Sequence, residues 1–539
     1  MVESVVFLSK TQKSVSLPCA IQNHKLIIET AFFDREAIPS FDLVITFKND
    51  ITSVRNHDYT WVKCNNDFVS SSFSPKIIKL DNGFFVQPNL NYGYWEIQKK
   101  NPKVLYWRFH PQQAHPLTVY SGEYNQRVVA EADSGIDFKL DLALLFTTQN
   151  AIEFSRSSIP FSSVACFTDH CDFDTLPSLK LQRTFFKKHN IKVTKGFFLN
   201  HFSKRTDNAS VEFDRDEFEK WLDDGHELAY HSLSQSLKND EESFKNFFSF
   251  TPPFGDVPTW IDHGYQSYNF SLYQKKGINE ADFSNNLKEK SITTLWNYID
   301  SGTTALGVIN QLNPNDFTLN SFYSGIKKMS LKTKLSLLIK NIMFHYYADE
   351  AMILKYKSLA SSFKKMIQKK NPLLFFNFLG SLFSLAVPIL KVLIFWNQHK
   401  NKPYKLAKYT PLVFKHTIAE NEFYVFQTIE MIDFRMSLHP DNINKLINES
   451  GIFIAHTYFS VPMKYHEGRM FKNPETIDEV VEANFKFLGE KMKNQEIWNP
   501  TIKELVQFLA NFEKTVLDIN ADGKLIVINA ATLPYRTAI

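Results

Sequence analysis

A chain of 539 residues is too long for one ordinary core, so two or three domains are expected, and a 44% share of hydrophobic residues excludes a disordered polymer. A formal net charge of only +4 excludes a dedicated nucleic-acid binder, whose footprint would be strongly basic. Cys19, Cys64, Cys166 and Cys171 show no CxxC spacing, which excludes a disulfide framework and fits a reducing compartment. Met1–Leu8 lacks the basic start and long apolar core of a signal peptide, so a cytoplasmic location is the expectation.

Residues 1–155 read as a β-rich N-terminal domain. Leu43–Phe47, Tyr59–Val62 and Phe84–Val86 are rich in branched and aromatic residues, and Tyr94–Ile97 with Val104–Phe109 reads as a hairpin around a polar loop. A sandwich or barrel fits. Trp61, Tyr92, Tyr94, Trp95, Tyr106 and Trp107 either line a sugar-binding face or serve as core and cross-strand pairs, the commoner use of such residues.

Residues 156–270 change character. Val164–Phe167 is a short apolar run that reads as a buried strand, and Thr168–Asp174 then places carboxylates and an imidazole side by side. Helical spacing follows over Leu176–His189, a strand over Ile191–Leu199, a second helix around Phe218, Trp221 and Leu222 that stops at Gly225, and a third strand over His226–Ser232. Strand, helix, strand, helix, strand predicts a parallel sheet, which holds its sites at the carboxyl ends of strands. Asp169, His170, Asp172 and His231 fall at such ends. Asp174 reads as a cap for the following helix. His226 reads as structural, and Cys171 lacks an identifiable base that would make it a nucleophile.

Several of these pieces together resemble the polysaccharide deacetylase (NodB-homology) family. Phe167-Thr168-Asp169-His170-Cys171-Asp172 corresponds to its Thr-Phe-Asp-Asp motif. His189-Asn190-Ile191-Lys192-Val193-Thr194-Lys195-Gly196-Phe197-Phe198 corresponds to the continuation after the helix. Gly225-His226-Glu227 and His231-Ser232-Leu233-Ser234-Gln235 correspond to the second motif. The resemblance covers roughly 160–270 and 420–515. It implies a distorted (β/α) barrel, a bound divalent metal, zinc by ligand type, and removal of an N-acyl group from a sugar. On that reading Asp169 is the general base and His231 a metal ligand, with His170 or Asp172 as the next ligand. The family's further histidine is Gln235 here. The arginine that steadies the catalytic Asp is replaced by Thr251 in Phe250-Thr251-Pro252-Pro253-Phe254-Gly255. Trp260, Asp262 and His263 form a run expected on the substrate side.

The segment 271–415 reads as a helical insertion. Over 325–415 there are 17 lysines against Asp349 and Glu350, a formal +15, leaving −11 for the rest of the chain. Within it Leu373–Trp396 is nearly uncharged, with Lys391 its sole charge, and basic amphipathic stretches such as Leu335–Lys340 and Phe363–Ile367 flank it. The alternatives are attachment to an anionic membrane surface, a spanning helix, and a buried helical core with a solvated basic face. Over 416–539 the strand-and-helix pattern resumes. Ile452–Tyr458 delivers His456 at a strand end, where the resemblance implies the general acid, and Val516–Ile519 with Leu525–Ile528 reads as a hairpin around Asp522-Gly523.

These readings predict a metal-dependent carbohydrate deacetylase acting on a lipid-linked or cell-surface glycan precursor, peripheral at the inner face of the membrane. A non-catalytic glycan-binding protein is the alternative, for which Gln235 and Thr251 speak. A hydrolase of another amide or ester is the third.

Overall fold

The computed structural model describes residues 1–9, 14–29, 40–71, 73–109, 116–121, 124–129, 138, 140–304, 309–369, 372–460, 469–473 and 475–538. Branched and aromatic residues near the N-terminus form two antiparallel sheets. One orders Ser14–Leu17, Val2–Ser9, Phe41–Phe47, Val104–Phe109, Tyr94–Ile97 and Phe68–Ser70. The other orders Ile21–Gln22, Lys25–Ile28, Leu142–Thr147, Phe85–Pro88, Ile78–Leu80, Ile51–Arg55 and Trp61–Lys63. Phe7, Leu43, Ile45 and Trp107 from the first share one core with Leu26, Val86 and Leu144 from the second, the packing of a sandwich. Trp95 lies opposite Trp107 in register, their rings edge to face at 6.1 Å. Tyr94, Trp95 and Trp107 are thus buried rather than sugar-facing, and Trp61, Tyr92 and Tyr106 are half-buried.

From Ser163 strands and helices alternate. The order is β1 (Ser163–Asp169), α1 (Leu176–Lys188), β2 (Thr194–Phe197), α2 (Val211–Asp223), β3 (Glu227–His231), α3 (Asp240–Ser249), β4 (Thr259–Ile261), α4 (Glu280–Glu289), β5 (Thr294–Trp296) and β6 (Asp300–Thr303). Thr175 starts α1 through a capping box with Ser178, so Asp174, expected as the cap, is free for another role. The lysine-rich helices α5 (Leu331–Asn341) and α6 (Glu350–Lys369) and the apolar helix α7 (Pro372–Ile394) follow. The chain then returns through β7 (Val413–Ile418), β8 (Asn421–Phe426), β9 (Thr428–Glu430), α8 (Pro440–Asn448), β10 (Ile452–Thr457), α9 (Glu479–Lys493), β11 (Ile497–Trp498) and α10 (Ile502–Leu509). The segment 271–415 is therefore not helical throughout, since β5 and β6 lie in the sheet.

The distorted (β/α) barrel of the NodB type is not what forms. The strands make one curled, 11-stranded mixed sheet, a half-barrel, ordered β6-β9-β10-β1-β2-β3-β4-β5-β8-β7 with β11 beside β1. Its interior pairs are parallel, but β7 joins β8 antiparallel and ends the sheet. Two interruptions explain the departure. The chain leaves the ladder between β5 and β6, where the Asn297 side chain bonds Thr118 and Asp262 instead. It leaves again at Gln427, whose amide donates to Leu406 O at 3.0 Å. The curl still brings distant strands together, and Trp296 at the end of β5 donates to Thr428 Oγ1 in β9 at 2.8 Å.

The hairpin of Pro116–Ser121 with Tyr124–Val129 lies against this end of the sheet. Asn297 Nδ2 donates to Thr118 O at 3.0 Å, and Lys357 in α6 donates to Asn125 O at 2.7 Å. It therefore sits between the strand ends and the lysine-rich helices.

Candidate metal centre

Side chains alternate between the two faces of a strand, and β1 shows the consequence. Val164 and Cys166 belong to the core inside the curl, together with Ala229, Ile261 and Trp296. Ala165 and Phe167 belong to the larger core between sheet and helices, together with Tyr230 and Trp260. Continuing the alternation puts His170 on the inner side and Asp169 on the helix-covered side. His231 ends β3 on the inner side, and His456 lies near the end of β10.

His170, Asp172 and His231 form a group that could hold a metal ion, each offering a ligand atom within 4.8 Å of the others. His231 Nδ1 lies 3.2 Å from Ile261 O, a carbonyl that only accepts, so Nδ1 carries the proton. In the neutral ring Nε2 then presents a lone pair, and it lies 3.0 Å from Asp172 Oδ2, another acceptor. Burial pulls the His231 pKa below its ordinary value against the attraction of Asp172, which favours that neutral ring. His170 Nε2 is also buried with no hydrogen-bond partner among the described residues. Burial, then the neighbouring His456 and His231, hold this imidazole well below its usual pKa, so it too is neutral. Electron-rich atoms thus converge with no proton between them, an arrangement that a cation satisfies.

Asp172 is the edge of the site that meets solvent, its side chain 15% exposed. Its other oxygen faces His263 Nε2 at 2.6 Å. Gln266 donates to His263 Nδ1 at 3.0 Å, which leaves the proton on Nε2 for Asp172. Burial alone would raise the Asp172 pKa, but His263 beside it acts against this, and the carboxyl lies well below the usual range. His263, expected on the substrate side, therefore orients the Asp172 carboxylate of this group.

His456 stacks on His170 at 4.1 Å, with Trp296 at 4.7 Å edge-on to both rings. Its Nδ1 faces Asp300 Oδ1 at 3.3 Å, and its Nε2 is buried without a partner among the described residues. A carboxylate on Nδ1 sets the tautomer and leaves Nε2 with a lone pair beside the metal group.

Asp169 is placed elsewhere. Lys195 from β2 pairs with both Asp169 and Asp174, all of them buried, and Lys195 also bonds Gln182 Oε1 at 2.8 Å. Phe459 N donates to Asp169 Oδ1 at 2.8 Å. Burial drives the Asp169 carboxyl up to about 7 despite the lysine beside it. Lys195 is thus the cation beside Asp169, and Asp169, expected as the general base, spends its oxygens on Lys195, the Thr457 hydroxyl and the backbone. Asp174 ties the same lysine to Gln182 of α1 and to Ser460 rather than capping the helix.

Trp260 and Asp262, expected to meet substrate, are also buried. Trp260 packs among Phe247, Phe250 and Tyr230, and its Nε1 donates to Asp262 Oδ1 at 2.9 Å. Asp262 further accepts from Phe270 N at 2.9 Å and Asn297 at 2.6 Å, and burial raises its pKa to about 7. Gln235 bonds Ser203 and Ser236 and takes no part in the metal group. Burial keeps the Cys171 thiol protonated, far from a nucleophile. Trp296, Asp300, Gln266 and Lys195 were not anticipated. Lys195, within the stretch Ile191–Leu199 that reads as a strand, was the one signal on offer, since a buried lysine needs an acidic partner.

The group is thus two imidazole nitrogens and a carboxylate, with an Asp-backed histidine alongside. Comparison with known protein families, with characterised proteins and with solved structures finds no match to this chain.

Proposed function

We propose that this protein is a metal-dependent hydrolase that removes an N-acyl group from a sugar, with zinc held by His170, Asp172 and His231. The observation that carries the reading is the approach of His231 Nε2 to Asp172 Oδ2 at 3.0 Å, both as acceptors, beside the unpartnered His170 Nε2. Two imidazoles and one carboxylate suit zinc, with coordination left over for a reactant. Such a metal supplies Lewis acidity toward an acyl carbonyl and a hydroxide-like nucleophile near neutral pH.

The chain's own residues supply the rest. His263 and Ile261 O fix the orientation of Asp172 and His231. His456, held by Asp300, exchanges a proton at Nε2, which amide cleavage needs because an amine leaves poorly without one. Trp296 and the rings of His170 and His456 exclude bulk water from that proton path. The choice of an N-acyl sugar rests on the order of motifs from Thr168 to Ser232 that resembles the polysaccharide deacetylases.

Elemental analysis of the purified protein, with release of carboxylic acid from a panel of N-acyl sugars, tests this. About one zinc per chain is expected, lost in Asp172→Ala and His231→Ala, with turnover lost on chelation and restored by zinc. Zinc-loaded protein that hydrolyses no N-acyl sugar overturns the substrate. Failure to bind zinc overturns the whole reading.

A further inference from the structure

Eight of the 15 exposed large hydrophobic side chains among the described residues fall between Tyr323 and Phe395. On α7 they follow a helical rule. Phe383 is 70%, Val387 66%, Leu390 51% and Ile394 71% exposed, at spacings of four, three and four that place them on one face. The opposite face is occupied, with Leu385 and Val392 buried and Tyr347 donating to Pro388 O at 3.0 Å. Leu331 and Leu335 on α5 add a second exposed apolar pair one turn apart. The side chains of 363–369 and 372–382, which carry part of the expected amphipathic pattern, lie outside the described residues.

Charge decides what covers this face. The surrounding segment is formally +15, and Lys327, Lys328, Lys332, Lys391, Lys402 and Lys405 are exposed with no carboxylate partner among the described residues. A second copy would bring a second +15 against the first. A surface that is apolar in depth and negative at its plane matches both features. Among the described residues no helix is long and apolar enough to cross a membrane.

We infer that α7 lies flat in the interface of a bilayer containing anionic lipid, with Phe383, Val387, Leu390 and Ile394 among the acyl chains and the lysines at the headgroups. Beneath α7 come α6, then the hairpin strand Tyr124–Val129, then the sheet end that carries the metal group. The attachment does not depend on the proposed reaction.

Co-sedimentation of the full chain with vesicles tests the inference. One set is phosphatidylcholine with about one-third phosphatidylserine, the other phosphatidylcholine alone, each at about 0.1 M and about 1 M salt. Binding is expected to the anionic vesicles, weakened by salt. It should fall at least about tenfold in the double variant Leu390→Glu, Ile394→Glu, whose melting temperature should be unchanged because both side chains are exposed. The variant Lys327→Glu, Lys328→Glu, Lys332→Glu on the α5 side should weaken the same binding independently. No binding to anionic vesicles overturns the inference, as does a concentration-dependent dimer that the Leu390→Glu, Ile394→Glu variant dissolves.

Discussion

Asp169 and His170 are neighbours at the end of β1, yet they serve opposite sides of the sheet. The carboxylate of Asp169 meets Lys195 on the helix-covered side, while the imidazole of His170 stacks on His456 at 4.1 Å inside the curl. The alternation of a strand imposes this on any adjacent pair. It separates a structural ion cluster from a candidate reaction centre, and the two separate by mutation.

Lys195→Met should cost about 3–5 kcal/mol, because it leaves Asp169 and Asp174 buried together without a cation. Asp169→Asn should cost less, about 1–3 kcal/mol, since Asp174 still pairs the lysine. Denaturant unfolding checks both, and zinc content per folded chain should be unchanged in Asp169→Asn. Loss of zinc there with full stability would place Asp169 at the metal instead.

His456→Gln should slow turnover about 10²–10⁴-fold, the usual worth of a positioned proton carrier, without lowering metal content. Asp300→Asn should slow it less, since an amide holds the Nδ1–H tautomer of His456 less firmly than the carboxylate 3.3 Å from it. Equal rates for wild type and His456→Gln on an amide substrate would remove His456 from the reaction.

Gly196 brings β2 close against β1 and His231. A Cβ there would lie 2.5 Å from Asp169 O and 3.5 Å from the His231 Cβ. Gly196→Ala should therefore push β1 from β2, destabilise the fold by about 1–3 kcal/mol, and weaken metal binding through His231. A variant with unaltered melting and metal affinity would refute the close approach.

His226 should give the protein an acid-sensitive stability. Its Nδ1 accepts from Val193 N at 3.2 Å, and burial lowers its pKa to about 4. The unfolded chain takes up that proton near pH 6.5 and the folded chain only near 4, so the contribution is present above about 6.5 and lost as pH falls toward 4. The loss is on the order of 3 kcal/mol. His226→Asn keeps an acceptor near Val193 N and removes the titration, so its stability should fall less steeply between pH 6.5 and 4 than that of the wild type.

What the sequence by itself determined was local. Hydrophobic alternation announced the β-rich first 150 residues, and the strand-helix-strand rhythm after Ser163 announced a sheet whose carboxyl ends gather His170, Asp172 and His231. Seventeen lysines against two acids over 325–415 announced a surface of one sign. The tertiary structure decided what depends on side-chain facing and on non-local partners. It made a curled mixed sheet of the expected barrel, because the ladder breaks at Asn297 and Gln427 and β7 turns antiparallel. It sent Trp260 and Asp262 into the core, and it assigned Asp169 to Lys195, a partner 26 residues away whose approach no local spacing encodes. It also supplied Asp300 to His456 and Gln266 to His263. A hydrogen bond across a sheet is fixed by strand order and register, and these emerge only when the whole chain packs.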